Sequence, residues 1–279
     1  MPLRIEILTL GEYEIDWSKI VQYKTPGRKT QIKVHAYLIL GGSDGPMLVD
    51  TGFRRLPGAE EAEISADHQS SLEKELGRHG LRPADIRYVL HTHLHKGHCG
   101  RDDVFPSSTT VVMNRRELEF GCSGVDCESY SAVDMKHLID RVHTPGAAWL
   151  LDLESSGTVG IVDGVCAQLC GGHTEGSMNV LVELDEGIAI ICGDIIFHVH
   201  DQLVAAGQLN HREPRLSGSV SVSQVDERAA IKKALAGATW LLPMHDAPAK
   251  IAKGGLVVGR VVGTTIPGSV TELEAFRTT

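Results

Sequence analysis

Along the first third of the chain, apolar positions fall in short runs separated by polar turns. Ile5 to Leu10 and Ile32 to Leu40 are alternating or continuously apolar, and GGSDGP before Met47 to Val49 is a Gly- and Asp-rich hairpin turn. An antiparallel sheet is therefore expected to open the fold. Between Glu60 and His79 the spacing becomes helical, with Leu72 and Leu76 opposite a charged face and Gly80 with Pro83 as the stop signal. Ile86 to Leu90 reads as a buried strand that runs directly into HTHLHKGHCG. Thr109 to Met113 is a further strand, Arg115 to Phe120 a short helix, Cys122 to Tyr130 a polar loop, and Ala132 to His143 helical. A second strand-rich half follows in Thr158 to Ile161, Val165 to Leu169, Val180 to Glu183 and Ile188 to Ile191, with turns at Asp163-Gly164 and Asp185-Glu186-Gly187. Leu203 to Val222 is polar, Gly- and Ser-rich, and reads as a lid or linker before the helix Val225 to Ala236 and the strand Trp240 to Pro243. Two strand-rich halves, each followed by helices, predict two sheets packed face to face with helices outside. The expected class is α+β, a four-layer αββα sandwich forming a single domain over residues 1–279.

Composition narrows the function. At 279 residues, with 42% hydrophobic and 23% charged positions, the chain is an ordinary folded protein and neither disordered nor fibrous. Its net charge of -9 opposes a nucleic-acid partner, because phosphate contacts need clustered cations. No apolar run approaches the roughly 20 residues that cross a bilayer, so no membrane partner is expected. The opening MPLRIEILTLGEYEIDW reads as a strand and not as a signal peptide, and six irregularly spaced cysteines do not make a disulfide scaffold, so a cytoplasmic location is expected. Cys122 and Cys127 lack a second pair and read as loop residues. What does stand out is 14 His in a chain with 5% aromatics, since imidazole is the commonest metal ligand.

Those histidines cluster. His91, His93, His95 and His98 follow one apolar strand within eight positions. A strand end points His93 and His95 to one side, and a helical start brings His98 round to the same cavity. Packing these imidazoles together without a metal would leave polar nitrogens unsatisfied. His173 in CGGHTEGSMN, Asp194 in ICGDIIF and His245 in LLPMHD each sit where another short apolar strand ends, the position from which a rigid scaffold presents functional groups.

In that order, LVDTGF, THLHKGHCG, CGGHTEGS, CGDIIF and LLPMHD resemble the motifs of the metallo-beta-lactamase superfamily. The start of the chain and the helix before the His motif are most similar to its N-acyl homoserine lactonase branch. The resemblance implies an αββα fold holding one or two zinc ions, with iron or manganese also fitting the donors. One metal would be held by His93, His95 and His173, with Asp194 bridging to a second held by His98 and His245, and Asp50 would orient a ligand imidazole from behind. The implied reaction is hydrolysis, in which metal-activated water attacks a carbonyl.

Two positions depart from the pattern. Gly97 stands where the signature HxHxDH has Asp, so a weaker or empty second metal site is expected. Phe197 stands near the place of a substrate-donating Tyr and cannot donate; His198 and His200 lie beyond it as candidates to compensate, or as ordinary loop residues. Lys96 reads as a solvated side chain and Cys99 as a packing residue. The expectation is a zinc-dependent hydrolase opening a lactone or related cyclic ester or amide. The alternatives are a thioesterase, a beta-lactam or phosphoester hydrolase, or a degenerate member that binds without turnover. A small molecule is the expected partner, a homo-oligomer is compatible, and Arg212 and Arg215 are loop cations available to a carboxylate.

Overall fold

The computed structural model describes residues 2–54, 70–204, 213–218, 222–266 and 272–274. Residues 60–69 of the expected helix, residues 205–212 and 219–221 of the expected lid, and Arg212 with them, lie outside the described residues.

Alternation in the first strand decides which way the first sheet faces. In β1 (Arg4–Asp16), Ile5 and Ile7 join one apolar cluster while Leu8 and Leu10 join another on the opposite face, as a two-residue period requires. Next, β2 (Lys29–Leu40) pairs antiparallel with β1, with a register shift between Thr9 and Gly11. The sheet continues through β3 (Met47–Val49), antiparallel to β2, and then through β4 (Tyr88–Leu90), β5 (Thr110–Asn114) and β6 (Ala148–Leu151) in parallel. The second sheet holds β7 (Thr158–Val162), β8 (Val165–Leu169), β9 (Met178–Leu184) and β10 (Gly187–Gly193), then β11 (Trp240–Pro243), β12 (Ala249–Ala252) and β13 (Leu256–Val262). Near the C-terminal end, β14 (Thr265–Ile266) crosses back to β1, and β15 (Glu272–Glu274) returns to β13.

The helices in chain order are α1 (Trp17–Ile20), α2 (Ser70–Arg78), α3 (Lys96–Cys99), α4 (Arg115–Gly121), α5 (Ala132–Val142), α6 (Leu153–Ser156) and α7 (Gln224–Gly237). Leu72 and Leu76 of α2, with Met135 and Leu138 of α5, cover the outer face of the first sheet. Ala230, Ile231 and Ala234 of α7 cover the second. Between the sheets, Ile5, Tyr37, Val49, Val180, Ile191 and Trp240 share one core. This is the expected four-layer α+β sandwich. Among the described residues no helix is long and apolar enough to cross a membrane.

The topology gathers five loops at one edge. Parallel β3 and β4 end there, parallel β10 and β11 end there, and antiparallel β9 begins there. Met178 N–H donates to Thr92 O at 2.8 Å, tying the first sheet's loop to the start of β9. Three regular features escape the apolar pattern. Strand β1 runs six residues past Leu10, β6 is only four residues long, and β12 to β15 carry charged or solvent-facing positions such as Lys250 and Arg260.

Candidate metal centre

Two short glycine-assisted turns present the acidic groups. Asp50 follows β3 with φ of 59°, a left-handed conformation that Asp tolerates better than most residues. There it is buried and accepts Thr92 N–H at 2.8 Å, Thr92 Oγ1–H at 2.7 Å and His98 Nδ1–H at 2.7 Å. Gly193, φ 56°, ends β10; a Cβ there would meet Thr92 Oγ1 at 2.7 Å, so only glycine lets the two sheets approach and seat Asp194.

Asp194 is the hub. Its Oδ1 lies 3.3 Å from both His98 Nε2 and His245 Nε2. The other oxygen, Oδ2, lies 3.6 Å from His173 Nε2 and 3.8 Å from His93 Nε2. His173 Nε2 in turn faces His95 Nδ1 at 3.1 Å. The ring nitrogens pointing away from the centre have their own partners. His98 Nδ1 donates to Asp50, His245 Nδ1 donates to Lys33 O at 2.6 Å, and His93 Nδ1 lies 3.3 Å from Thr92 Oγ1. Five imidazoles are therefore gathered around the Asp194 carboxylate, and His93, His95 and His173, or His93, His98 and Asp194, offer ligand atoms within 4.8 Å of one another.

The donor set fits a divalent metal. Among the described residues His93 Nε2 is buried with no hydrogen-bond partner, which is costly unless an ion completes it. Burial and the neighbouring imidazoles hold His93 and His95 well below the usual imidazole range, hence neutral and ligand-ready. Burial opposes charge on Asp194 too, but His245 and His98 outweigh it and keep the carboxyl well below the usual range. The same contest pushes His98 up to about 10, because Asp194 and Asp50 flank it. A metal entering there displaces a proton.

A cavity of about 390 Å³ opens over this centre. Phe197 forms part of its wall, its ring parallel to His245 at 5.5 Å and edge-on to His173 at 5.5 Å. Lys96 and Lys19 reach its rim, and Tyr13, Ile15 and Phe53 line it from the first-sheet side. His198 does not line the cavity: it packs edge-on against Trp17 at 6.1 Å and its Nδ1 accepts Asp201 N–H. His200 pairs with Asp201 in the same turn. Cys99 directs its Sγ at Leu94 O, 3.3 Å away, and packs in the outer cluster of the first sheet.

Besides His91, already part of the histidine cluster, three residues at the centre are not singled out by the sequence pattern. Glu117 is 1% exposed, and its carboxylate accepts Leu94 N–H, Tyr130 O–H, Thr174 O–H and Gly176 N–H. In RRELEF it reads as one charge of a solvated face, and only its proximity in space to both ligand loops reveals it. Tyr130 stands edge-on to His95 at 4.7 Å. His91, buried between Asp102 at 2.9 Å and Asp50 at 3.4 Å, is pushed up to about 9 because the two carboxylates outweigh burial. Tyr13 had a legible signal, since the alternation Glu12, Tyr13, Glu14, Ile15 continues the strand pattern and puts Tyr13 and Ile15 on one face.

The sequence pattern of the metallo-beta-lactamase superfamily matches residues 30–219. An N-acyl homoserine lactonase of Bacillus thuringiensis is 24% identical over 200 residues, 67% of this chain and 73% of that protein. The Bacillus cereus N-acyl homoserine lactonase is 24% identical over 219 residues, 73% of this chain and 81% of that protein. Among solved structures, a probable metal-dependent hydrolase from Staphylococcus aureus superposes with a TM-score of 0.72 at 18% identity, covering 94% of this chain and 97% of that one. A dizinc quorum-quenching lactonase, solved with an acyl-homoserine product, superposes with a TM-score of 0.64 at 17% identity, covering 99% and 95%.

Proposed function

The chain belongs to the metallo-beta-lactamase superfamily, and from that premise we propose that it is a metal-dependent hydrolase opening a lactone or a related cyclic ester or amide. The observation that carries this reading is Asp194, whose two oxygens face separate groups of imidazoles. His93, His95 and His173 with Oδ2 would hold one ion, and His98 and His245 with Oδ1 a second. Zinc suits these donors, and iron or manganese would fit the same set. Bound there, the metal supplies Lewis acidity toward a carbonyl oxygen and a lowered pKa for water.

The chain's own residues do the rest. Asp194, held anionic, is the carboxylate at the centre that would bridge the two groups of imidazoles and orient the attacking water by accepting a hydrogen bond from it. Phe197 cannot donate to a substrate oxygen, but the Tyr13 phenol lines the same cavity. Burial and the nearby Asp194 charge push its pKa above the usual phenol range, so it stays protonated and available as a donor. Ile15, Ile20, Phe53 and Phe197 give that cavity an apolar sector suited to an alkyl or acyl substituent. The core shared by both sheets supports reading residues 1–279 as one domain.

The test is an assay of metal-replete protein against lactones, with thioesters, beta-lactams and phosphoesters in the same panel, beside the His93→Ala and His173→Ala variants. Lactone turnover that collapses in both variants is the expected result. Turnover unchanged by either substitution, or confined to thioesters or phosphoesters, overturns the reading.

A further inference from the structure

The two halves of the centre are unequally furnished. On one side stand His93, His95, His173 and Asp194 Oδ2; on the other, among the described residues, stand only His98, His245 and Asp194 Oδ1. The place of a fourth donor on the poorer side is filled. A Cβ built on Gly97 would meet Phe53 Cζ at 2.9 Å and Cε2 at 3.1 Å, so the phenyl ring occupies the space into which a side chain at that position would extend. The backbone that carries the ring is held: Thr51 N–H donates to His98 O at 2.7 Å and Gly100 N–H to Gly52 O at 2.9 Å, tying the segment leading to Phe53 to the turn of α3. Tyr13 stands edge-on to Phe53 at 5.3 Å from the cavity side.

We propose that Phe53 and Gly97 act as a coupled pair that denies the His98–His245 position a fourth protein ligand, making it a weak, exchangeable metal site with a coordination position left open toward the cavity. The inference rests on the metal reading above and deepens it. One fewer carboxylate also leaves that position with one fewer negative charge to offset a divalent ion, so it holds the ion less tightly. Phe53 and Phe197 line the cavity beside that position, with Glu14 and Glu128 also in the cavity wall, so the open position is suited to a neutral carbonyl oxygen of the ligand.

The experiment is calorimetric titration of chelator-stripped protein with Zn(II), paralleled by visible absorption during Co(II) titration. The expected wild-type isotherm has two steps, the second weaker by more than about tenfold, the lower bound that even outer-sphere partners set on metal affinity. Phe53→Ala combined with Gly97→Asp tightens the second step and changes the second-equivalent Co(II) spectrum, whereas Gly97→Asp alone does not, because the ring remains in the way. Thermal melts of each variant accompany the titrations, and the wild-type isotherm decides even if the double variant fails to fold. Two equal wild-type steps, or a Gly97→Asp variant that tightens as much as the pair, overturns the coupling while leaving the proposed function standing. Wild-type protein that takes up no metal overturns both.

Discussion

Tyr130 donates its phenolic hydroxyl to Glu117 at 2.7 Å while its ring stands edge-on to His95 at 4.7 Å. That contact joins a buried carboxylate to a proposed ligand, and the same carboxylate reaches the loop of His173 through Thr174 and Gly176. Glu117 is thus a clamp between the loops that carry His95 and His173. A Cβ on Gly176 would meet the Glu117 backbone at 2.3 Å, so the loop must lie directly on α4 for the clamp to close.

The clamp predicts a metal phenotype. Glu117→Gln keeps the volume but replaces one acceptor oxygen by a donor amide, which then faces other donors. The expected outcome is a loss of about 10- to 100-fold in affinity for the first metal equivalent, the range typical of groups that orient ligands from behind. Tyr130→Phe, which keeps the ring against His95, loses less. Metal titration checks both, and an unchanged first binding step in Glu117→Gln would remove the clamp from the account.

Tyr13 yields a second prediction. Tyr13→Phe removes a donor while retaining the edge contacts to Phe53 and His245. If the phenol meets the substrate oxygen as charge develops on it, kcat falls by about 100-fold with KM little changed, the magnitude found for loss of one oxyanion donor. Metal content and thermal stability stay as in the wild type. A full-rate Tyr13→Phe enzyme shows that the phenol only packs.

How much of this was legible follows from what each residue's neighbours in sequence reveal. His93, His95, His98, His173, Asp194 and His245 each end or follow a short apolar strand, and the parallel and antiparallel pairing of β3, β4, β9, β10 and β11 brings those ends to one edge. Local pattern sufficed there because strand ends are marked by composition. Glu117 and Phe53 were illegible for the opposite reason: one hides in a charged helix and the other in LVDTGF, and their roles arise from a contact spanning 57 residues to Thr174 and from a ring that fills the space a Cβ on Gly97 would need. The late strands β12 and β13 were missed because Lys250, Arg260 and exposed Leu256 and Val258 blur the apolar alternation.

His35 sets a pH dependence of stability. It is 3% exposed on β2, its Nδ1 lies 3.2 Å from Thr9 Oγ1, and its Nε2 is buried without a hydrogen-bond partner among the described residues. Burial, then the charges of Lys33 and His245, push it down to about 4. The folded state therefore refuses a proton that the unfolded chain accepts near the ordinary imidazole value. Stability is intact above that value and is lost as pH falls toward the folded value. The loss from this one group reaches about 2 kcal/mol at about pH 5 and approaches about 3 kcal/mol below pH 4. Urea unfolding of chelator-stripped protein at pH 7 and pH 5 measures it, with His35→Leu as the reference because every other titrating group is shared. The wild type should lose about 2 kcal/mol more than the variant over that interval; equal losses would show that His35 is protonated in the folded protein after all.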